Sequence, residues 1–193
     1  MGLTLMMTVG CAMPSRNQPP LPETGGAKYV FVFDDGSHNG FVMPVSQFPL
    51  QFERASGIDP LAEAPLFVEF GFSDRKWITG QDRSLDHVLS LLLGEGEGVI
   101  AFRFHRSLAG SVPRDGDCHK IMMNREAYTL FVQELLGWLD MTQPVAVTSH
   151  ADPLYVVAST HPYTLLRNCR HFTERLKRVA EGHGPKSAAT AVP

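Results

Sequence analysis

The last strong helical pattern of this 193-residue chain begins at residues 168–172, Asn-Cys-Arg-His-Phe. Asn168 is a favourable N-cap, because its side-chain oxygen can accept a hydrogen bond from a free amide of the first turn. The apolar positions that follow are spaced 3, 4 and 3 residues apart, which places them on one face of a helix: Cys169, Phe172, Leu176 and Val179. The pattern therefore predicts a late helix whose first turn carries a cysteine on the face turned toward the protein.

The position of Cys169 has a chemical consequence. The free N–H groups and aligned peptide dipoles of a helix N-terminus favour a thiolate over a thiol. A thiolate near neutral pH is the nucleophile of covalent hydrolases and acyltransferases. The alternative is that Cys169 is a small apolar core residue, as a cysteine on an apolar stripe often is.

Composition restricts the remaining classes. The chain is 44% hydrophobic and 19% charged, which is typical of one folded domain. Its net charge is −3 without a basic block, so we expect no nucleic-acid partner. The three cysteines and eight histidines lack the spacing of metal ligands, so we expect no metal and no cofactor. An alternative to a reactive Cys169 thiol is a disulfide between Cys118 and Cys169.

Residues 1–11 are apolar or small, carry no charge, and end in Thr-Val-Gly-Cys. This pattern resembles the end of a bacterial lipoprotein signal, with cleavage before Cys11 and a lipid on its sulfur. Residues 12–27 are then a Pro/Gly-rich tether that holds the domain near a membrane of the cell envelope. Without lipid on Cys11, the segment is a chance apolar leader and we expect a cytoplasmic protein.

The front of the chain predicts a β-hairpin followed by a buried strand. Residues 28–34 and 41–43 are β-rich runs on either side of a turn, and His38 lies at the start of the second strand. Residues 66–71 form a continuous apolar run that contains Glu69. A buried carboxylate needs a partner, and His38 is the partner we expect; an edge strand that leaves Glu69 in solvent is the alternative.

The rest of the chain predicts an α+β fold, because strands dominate the front and helices the end. We expect a single domain over residues 28–182 and a disordered tail over 183–193. The expected helices are 46–56, 84–93 after a Ser84 cap, and one that Asn124 caps. The expected later strands are 99–104, 119–123, 145–148 and 154–158.

Three blocks resemble one bacterial family of unknown function, first noted beside urease gene clusters and often lipoproteins. They are Gly-Ser-His-Asn-Gly at 36–40, Val-Glu-Phe-Gly-Phe-Ser-Asp at 68–74, and the late Cys169. Over about residues 28–182 these blocks occur in the family's order. The chain departs from it at Ser37, Asn39 and Arg170, which border the presumed site, so the family's substrate preference does not transfer.

More distantly, Asn-Cys-Arg-His-Phe at 168–172 and His-Asn-Gly-Phe at 38–41 resemble circularly permuted papain-like thiol enzymes of the lecithin retinol acyltransferase type. The resemblance implies a small, mostly antiparallel sheet packed against helices, including the late cysteine-bearing helix. It further implies that Cys169 is the nucleophile, His38 the base and Glu69 the residue that orients the imidazole.

We expect four further residues near this site. Asp74 could orient the His38 imidazole in place of Glu69. Tyr163 and His161 line the cleft, and Asn39 supplies a hydrogen-bond donor. The expected substrate is a small molecule, lipid or peptide with an amide or ester bond. The alternative function is a catalytically silent envelope lipoprotein that binds a lipid or peptide in a papain-like cleft.

Overall fold

The computed structural model of the chain describes residues 28–49, 66–82, 84–108, 117–148 and 153–183. The predicted lipidation site Cys11, the tether at 12–27 and the tail from residue 184 onward lie outside the described residues.

Within the described residues, seven strands form one antiparallel sheet. They are β1 (Lys28–Asp34), β2 (Asn39–Pro44), β3 (Phe67–Asp74), β4 (Gly98–His105), β5 (Asp117–Met123), β6 (Ala146–Val147) and β7 (Leu154–Ala158). Their spatial order is β5-β1-β2-β3-β4-β7-β6, and every neighbouring pair is antiparallel. The first four strands follow one another in the sheet, so the segments that carry His38 and Glu69 lie side by side.

The helices are α1 (Arg75–Ile78), α2 (Leu85–Leu92), α3 (Arg125–Gly137) and α4 (Cys169–Ala180), with a short 3-10 helix at Val45–Gln47. The antiparallel sheet and the helices that accompany it confirm the predicted α+β class. None of the described helices has the length and apolar character needed to cross a membrane.

Helices α3 and α4 cover one face of the sheet through an aromatic core. Phe172 of α4 is fully buried, and its ring centroid lies 6.1 Å from Phe41 on β2, 5.9 Å from Phe72 on β3 and 5.0 Å from Trp138 after α3. Leu176 and Val179 are buried on the same helical face. The residues of the 3-4-3 apolar spacing thus form the face by which α4 packs on the sheet. This packing fixes the position of the helix N-terminus.

Strand β3 lies between β2 and β4, so it is not an edge strand. Glu69 is nevertheless 22% exposed through its side chain, and its Oε2 lies 2.8 Å from Nε2 of His105. In the β3–β4 register Glu69 is opposite Arg103, which makes His105 its diagonal neighbour. The carboxylate therefore has a histidine partner, but the partner is His105 on β4 and not His38.

Some predicted boundaries differ from the structure. In place of a helix at 46–56, the described part of that segment holds only the 3-10 turn Val45–Gln47; Pro49 lacks the N–H that a longer helix needs there. Strand β5 begins at Asp117 rather than at residue 119, because its pairing with β1 continues to Asp34.

We expect Phe172→Ala to destabilise the protein by about 3–5 kcal/mol, because it removes a fully buried aromatic ring and leaves a cavity between α4 and the sheet. Met122→Ala is the matched control, since Met122 is 55% exposed and should change stability by no more than about 0.5 kcal/mol. Urea unfolding followed by circular dichroism measures both. A loss below about 1 kcal/mol for Phe172→Ala would contradict this account of the α4 packing.

Candidate active site

The N-terminus of α4 holds Cys169 in the first helical turn. Asn168 precedes the helix, and its side-chain oxygen accepts a hydrogen bond from the His171 N–H at 3.2 Å. The Asn168 side-chain nitrogen donates to the Leu165 carbonyl at 2.8 Å, which ties the preceding loop to the helix. Cys169 is half-buried, and no disulfide joins it to Cys118 in this structure.

His38 is held by the turn between β1 and β2. The Asp35 carboxylate accepts hydrogen bonds from the N–H groups of Ser37 and His38, at 2.9 and 2.6 Å, and from the Ser37 hydroxyl. Gly36 supplies the positive φ of 83° that this tight turn requires. Strand β2 begins at the next residue, Asn39, so the local Asp-Gly-Ser-His sequence itself fixes the backbone of the histidine.

Gly71 on β3 makes room for the imidazole. A Cβ at this glycine would lie 2.9 Å from Nε2 of His38 and 3.1 Å from its Cε1. The ring centroid of Phe33 lies 5.9 Å away and bounds the imidazole on another side. The histidine ring therefore occupies a slot that only a residue without a side chain leaves open.

The Cys169 thiol and the His38 imidazole act on each other. Burial raises the pKa of Cys169, but the hydrogen bond with His38, an N–H of the Asn39 backbone and the charge of His38 together bring it below that of an ordinary thiol. Burial alone lowers the pKa of His38, but the hydrogen bond and charge of Cys169, followed by the charges of Glu69 and Asp35, raise it. Both shifts favour a thiolate–imidazolium pair.

Asn39 and Tyr163 complete the surroundings of the sulfur. The Oδ1 atom of Asn39 lies 3.8 Å from the Cys169 Sγ, and the Asn39 backbone N–H stabilises the thiolate. The Tyr163 hydroxyl interacts with both the amide and the thiol of Cys169; burial and the charge of Cys169 raise its pKa to about 12. Tyr163 is therefore protonated at neutral pH and offers a hydrogen-bond donor beside the sulfur.

Glu69 acts on this pair through its charge. Its hydrogen bond goes to His105, while its negative charge contributes to the raised pKa of His38. The sequence pattern did not identify His105 as the partner of Glu69. The predicted strand at 99–104 ends next to His105, but the sequence does not show that this histidine lies diagonally across from Glu69. That placement follows only from the β3–β4 register.

Asp74 and His161 belong to other surroundings. Asp74 is 1% exposed, its Oδ1 lies 2.6 Å from Nε2 of His87, and it caps α1 through the Trp77 N–H. It reaches the site only as a charge that contributes to the raised pKa of Tyr163. The His161 ring packs edge-on against Trp138, with 4.5 Å between centroids. The sequence analysis did not identify His87 as the partner of Asp74, just as it did not identify His105 as the partner of Glu69.

Two surface depressions, of about 410 and 240 Å³, both include His161. Arg75, Glu97 and Asp140 line the larger one, and Trp138 lines the smaller one. Neither is lined by His38 or Cys169, so the thiol pair does not lie within these depressions. Among the described residues, no group of three histidine, cysteine or acidic side chains is arranged to hold a metal ion.

We expect Gly71→Ala to raise the pKa of Cys169, because the new methyl group displaces the His38 imidazole. The measurement is the rate of Cys169 alkylation as a function of pH. Gly137→Ala is the matched control, since a Cβ there meets nothing within 4 Å, and it should raise stability by about 0.5–1 kcal/mol without moving the profile. Identical profiles for Gly71→Ala and the native chain would mean that the imidazole does not need this slot.

We expect Glu69→Gln to lower the pKa of His38, because it removes one of the negative charges that favour the imidazolium. The histidine titration, followed by NMR of the ring protons, checks this. His105→Gln leaves the Glu69 charge in place and should preserve the raised pKa. If His105→Gln lowered the pKa of His38 as much as Glu69→Gln does, the placement of the Glu69 side chain by His105, and not its charge alone, would be needed for the raised pKa.

Comparison of the chain with protein families, with curated proteins and with solved structures found no match.

Proposed function

We propose that this chain is a cysteine-nucleophile hydrolase or acyltransferase that acts on an amide or ester in the bacterial cell envelope. The observation that carries the proposal is the His38–Cys169 pair at the N-terminus of α4, where hydrogen bonding and charge favour the thiolate over the thiol despite burial. Nucleophilic catalysis by cysteine requires this combination of a lowered thiol pKa and a base within reach.

The proposed reaction has two halves. The Cys169 thiolate attacks the carbonyl carbon, a C–S bond forms, and the carbonyl oxygen becomes an oxyanion. The His38 imidazolium then gives its proton to the leaving amine or alcohol as the C–N or C–O bond breaks, which leaves a thioester. In the second half, His38 takes a proton from water or an acceptor group, the oxygen or nitrogen of that group attacks the thioester, and the thiolate is released.

The groups around the sulfur suit the charge that develops on the oxyanion. The Cys169 amide lies at the helix N-terminus, where its dipole favours negative charge. The protonated Tyr163 hydroxyl interacts with that amide and with the thiol, so it is a second group beside the sulfur that can donate to the oxyanion. The backbone N–H of Asn39 also donates toward the sulfur, whereas the Asn39 side-chain Oδ1 accepts from the thiol at 3.8 Å.

The fold proposed for this chemistry is a circular permutation of the papain-like arrangement. Support comes from the order of the parts: the histidine precedes β2 near the start, and the cysteine begins a helix near the end. Helix α4 packs on β2 and β3 through Phe172, which brings the helix that carries Cys169 against the strands next to His38. A lipid at Cys11 would place the domain in the cell envelope; without it we expect the cytoplasm.

The competing proposal is a catalytically silent lipoprotein that binds a lipid or peptide. The arrangement that favours it is the pair of depressions beside His161, which lie apart from the thiol. A silent domain has no use for an activated thiol and should tolerate Cys169→Ser without loss of function. The state of the thiol therefore distinguishes the two proposals.

We expect iodoacetamide to alkylate Cys169 at pH values well below the ordinary thiol pKa of about 8.5. His38→Ala should shift this profile to higher pH, because it removes the hydrogen bond and charge that stabilise the thiolate. Mass spectrometry of the peptide that contains Cys169, after timed alkylation across a pH series, gives the profile without interference from Cys118.

His171→Ala is the control for this experiment, because His171 is exposed and its ring packs toward Trp138. It should leave the profile unchanged. A thiol that reacts only near its ordinary pKa in both the native chain and His38→Ala would overturn the catalytic proposal in favour of the silent lipoprotein. An activated thiol should also form a thioester adduct with p-nitrophenyl acetate, visible as an added acetyl mass on Cys169.

A further inference from the structure

Two histidine rings pack against Trp138 next to the start of α4. The ring centroid of Trp138 lies 4.5 Å from that of His161 and 6.4 Å from that of His171. His171 follows Cys169 by two residues, and His161 comes two residues before Tyr163, whose hydroxyl interacts with the thiol. The two imidazoles therefore adjoin the candidate active site without supplying its base.

Three arginines surround these histidines. Arg175 and Arg178 follow His171 by four and seven residues, which places all three on one side of α4. Arg167 lies in the loop just before the helix, where the Thr164 N–H donates to the Arg167 carbonyl at 3.0 Å and the Arg167 N–H donates to the Thr164 hydroxyl at 2.8 Å. Arg167 and Arg178 are exposed, and neither is in an ion pair within the described part of the chain. We call the following five residues the arginine–histidine cluster: His161, Arg167, His171, Arg175 and Arg178.

The cluster produces a surplus of positive charge at the two imidazoles. Burial is the first cause that lowers the pKa of His161 and of His171, and the charges of Arg167 and Arg175 follow in both cases. The charge of Arg178 lowers the pKa of His171 further. Glu134 opposes the arginines at His161 but contributes less than either of them. Both imidazoles are therefore neutral at pH 7, and the field around them is positive.

The acidic group inside the cluster is already engaged. Glu134 on α3 forms a bidentate ion pair with Arg175, and its Oε1 also accepts a hydrogen bond from Nε1 of Trp138 at 3.0 Å. It therefore holds Arg175 in place and offsets one of the three arginine charges. Glu174 on α4 and Glu95 near the start of the loop are exposed, but neither is among the groups that shift the pKa of His171.

Two further acidic groups lie beside His161 in the larger depression, and both have partners of their own. Glu97 pairs with Arg75, and the Asp140 carboxylate accepts hydrogen bonds from the amide and hydroxyl of Thr142. The charges left over in the cluster are those of Arg167 and Arg178. An anion that approaches from solvent thus meets two guanidinium groups without a counter-ion.

We propose that the arginine–histidine cluster binds an anionic group, a carboxylate or a phosphate, on the substrate whose carbonyl Cys169 attacks. The smaller depression, of about 240 Å³, is lined by Trp138, His161 and Arg175 and gives this group a concave seat. Guanidinium groups bind either anion through charge-assisted hydrogen bonds. Neutral imidazoles can donate an N–H to it or take up a proton when it binds. The inference rests on the proposed thiol chemistry and narrows its substrate to an anionic amide or ester.

The first test titrates the full chain with inorganic phosphate and, separately, with adipate, and follows the ring protons of His161 and His171 by NMR. The variants His161→Gln and His171→Gln assign the signals. We expect both anions to raise the pKa of both histidines, because bound negative charge favours the imidazolium. Arg167→Gln should raise the apparent Kd for the anions at least about tenfold, because it removes a charge-assisted contact.

Arg170→Gln is the matched control. It removes the same charge one residue after the thiol, but Arg170 lies about 100° around α4 from His171 and is not among the groups that shift the pKa of that histidine. It should leave the anion affinity unchanged, with ionic strength held constant by KCl. If neither anion shifts either histidine, the proposal is overturned. An equal loss of affinity in Arg170→Gln and Arg167→Gln would also overturn it, because the effect would then follow net charge.

The second test links the cluster to the thiol through two acyl probes of equal chain length, mono-p-nitrophenyl adipate and p-nitrophenyl hexanoate. The ratio of the rates at which they acylate Cys169, followed by mass spectrometry, is independent of the thiol pKa because both probes meet the same thiolate. We expect a ratio above one that falls at least about tenfold in Arg167→Gln and is unchanged in Arg170→Gln. A phosphonate replaces the probe's carboxylate if phosphate alone shifts the histidines.

The two tests separate this inference from the proposed function. A ratio of one in the parent chain would overturn the inference and leave the activated thiol intact. A thiol that accepts neither probe would overturn the proposed function, and with it the assignment of the anion to a substrate of Cys169, even if the histidine titration still showed that the cluster binds anions.

Discussion

The packing of α4 against the sheet is the constraint on which the rest of the site depends. The side chains of Phe172, Leu176 and Val179 are buried in the core on the face of the sheet formed by β2 and β3. Burial of these side chains fixes the position of the helix start to within the tolerance of core packing. Cys169 is therefore brought to His38 by hydrophobic burial, and the hydrogen bonds of the site operate within a geometry that the core has already set.

Two opposing effects then determine the state of the thiol. Half-burial disfavours a charged sulfur, while the imidazole and the Asn39 amide favour it. The hydrogen bonds and the His38 charge together outweigh burial and lower the pKa of Cys169, and the same contact raises the pKa of His38. Glu69 adds a negative charge from β3 that raises the pKa of His38, although its hydrogen bond goes to His105. The charges around the site thus favour ionisation of the Cys169–His38 pair.

Prediction from the sequence succeeded where the signal was local. The α4 helix and the β1–β2 hairpin follow from spacing and turn residues within about a dozen positions. It failed for contacts that depend on strand register. The partner of Glu69 is decided by which β4 residue lies diagonally across from it, and a shift of one residue would turn the side chain to the opposite face. The slot that Gly71 leaves for His38 depends on the same kind of alignment.

The α+β class, the late helix and the cysteine in its first turn follow from local sequence signals, because period, capping and turn chemistry act over a few residues. The neighbours of that cysteine, the pairing of Glu69 with His105 and the exposure of the α2 leucines depend on contacts between distant segments, which appear only in the folded structure. An apolar stripe in a sequence does not state which of two faces is buried. In α2 that choice follows from the buried contact between His87 and Asp74, two residues that are 13 positions apart.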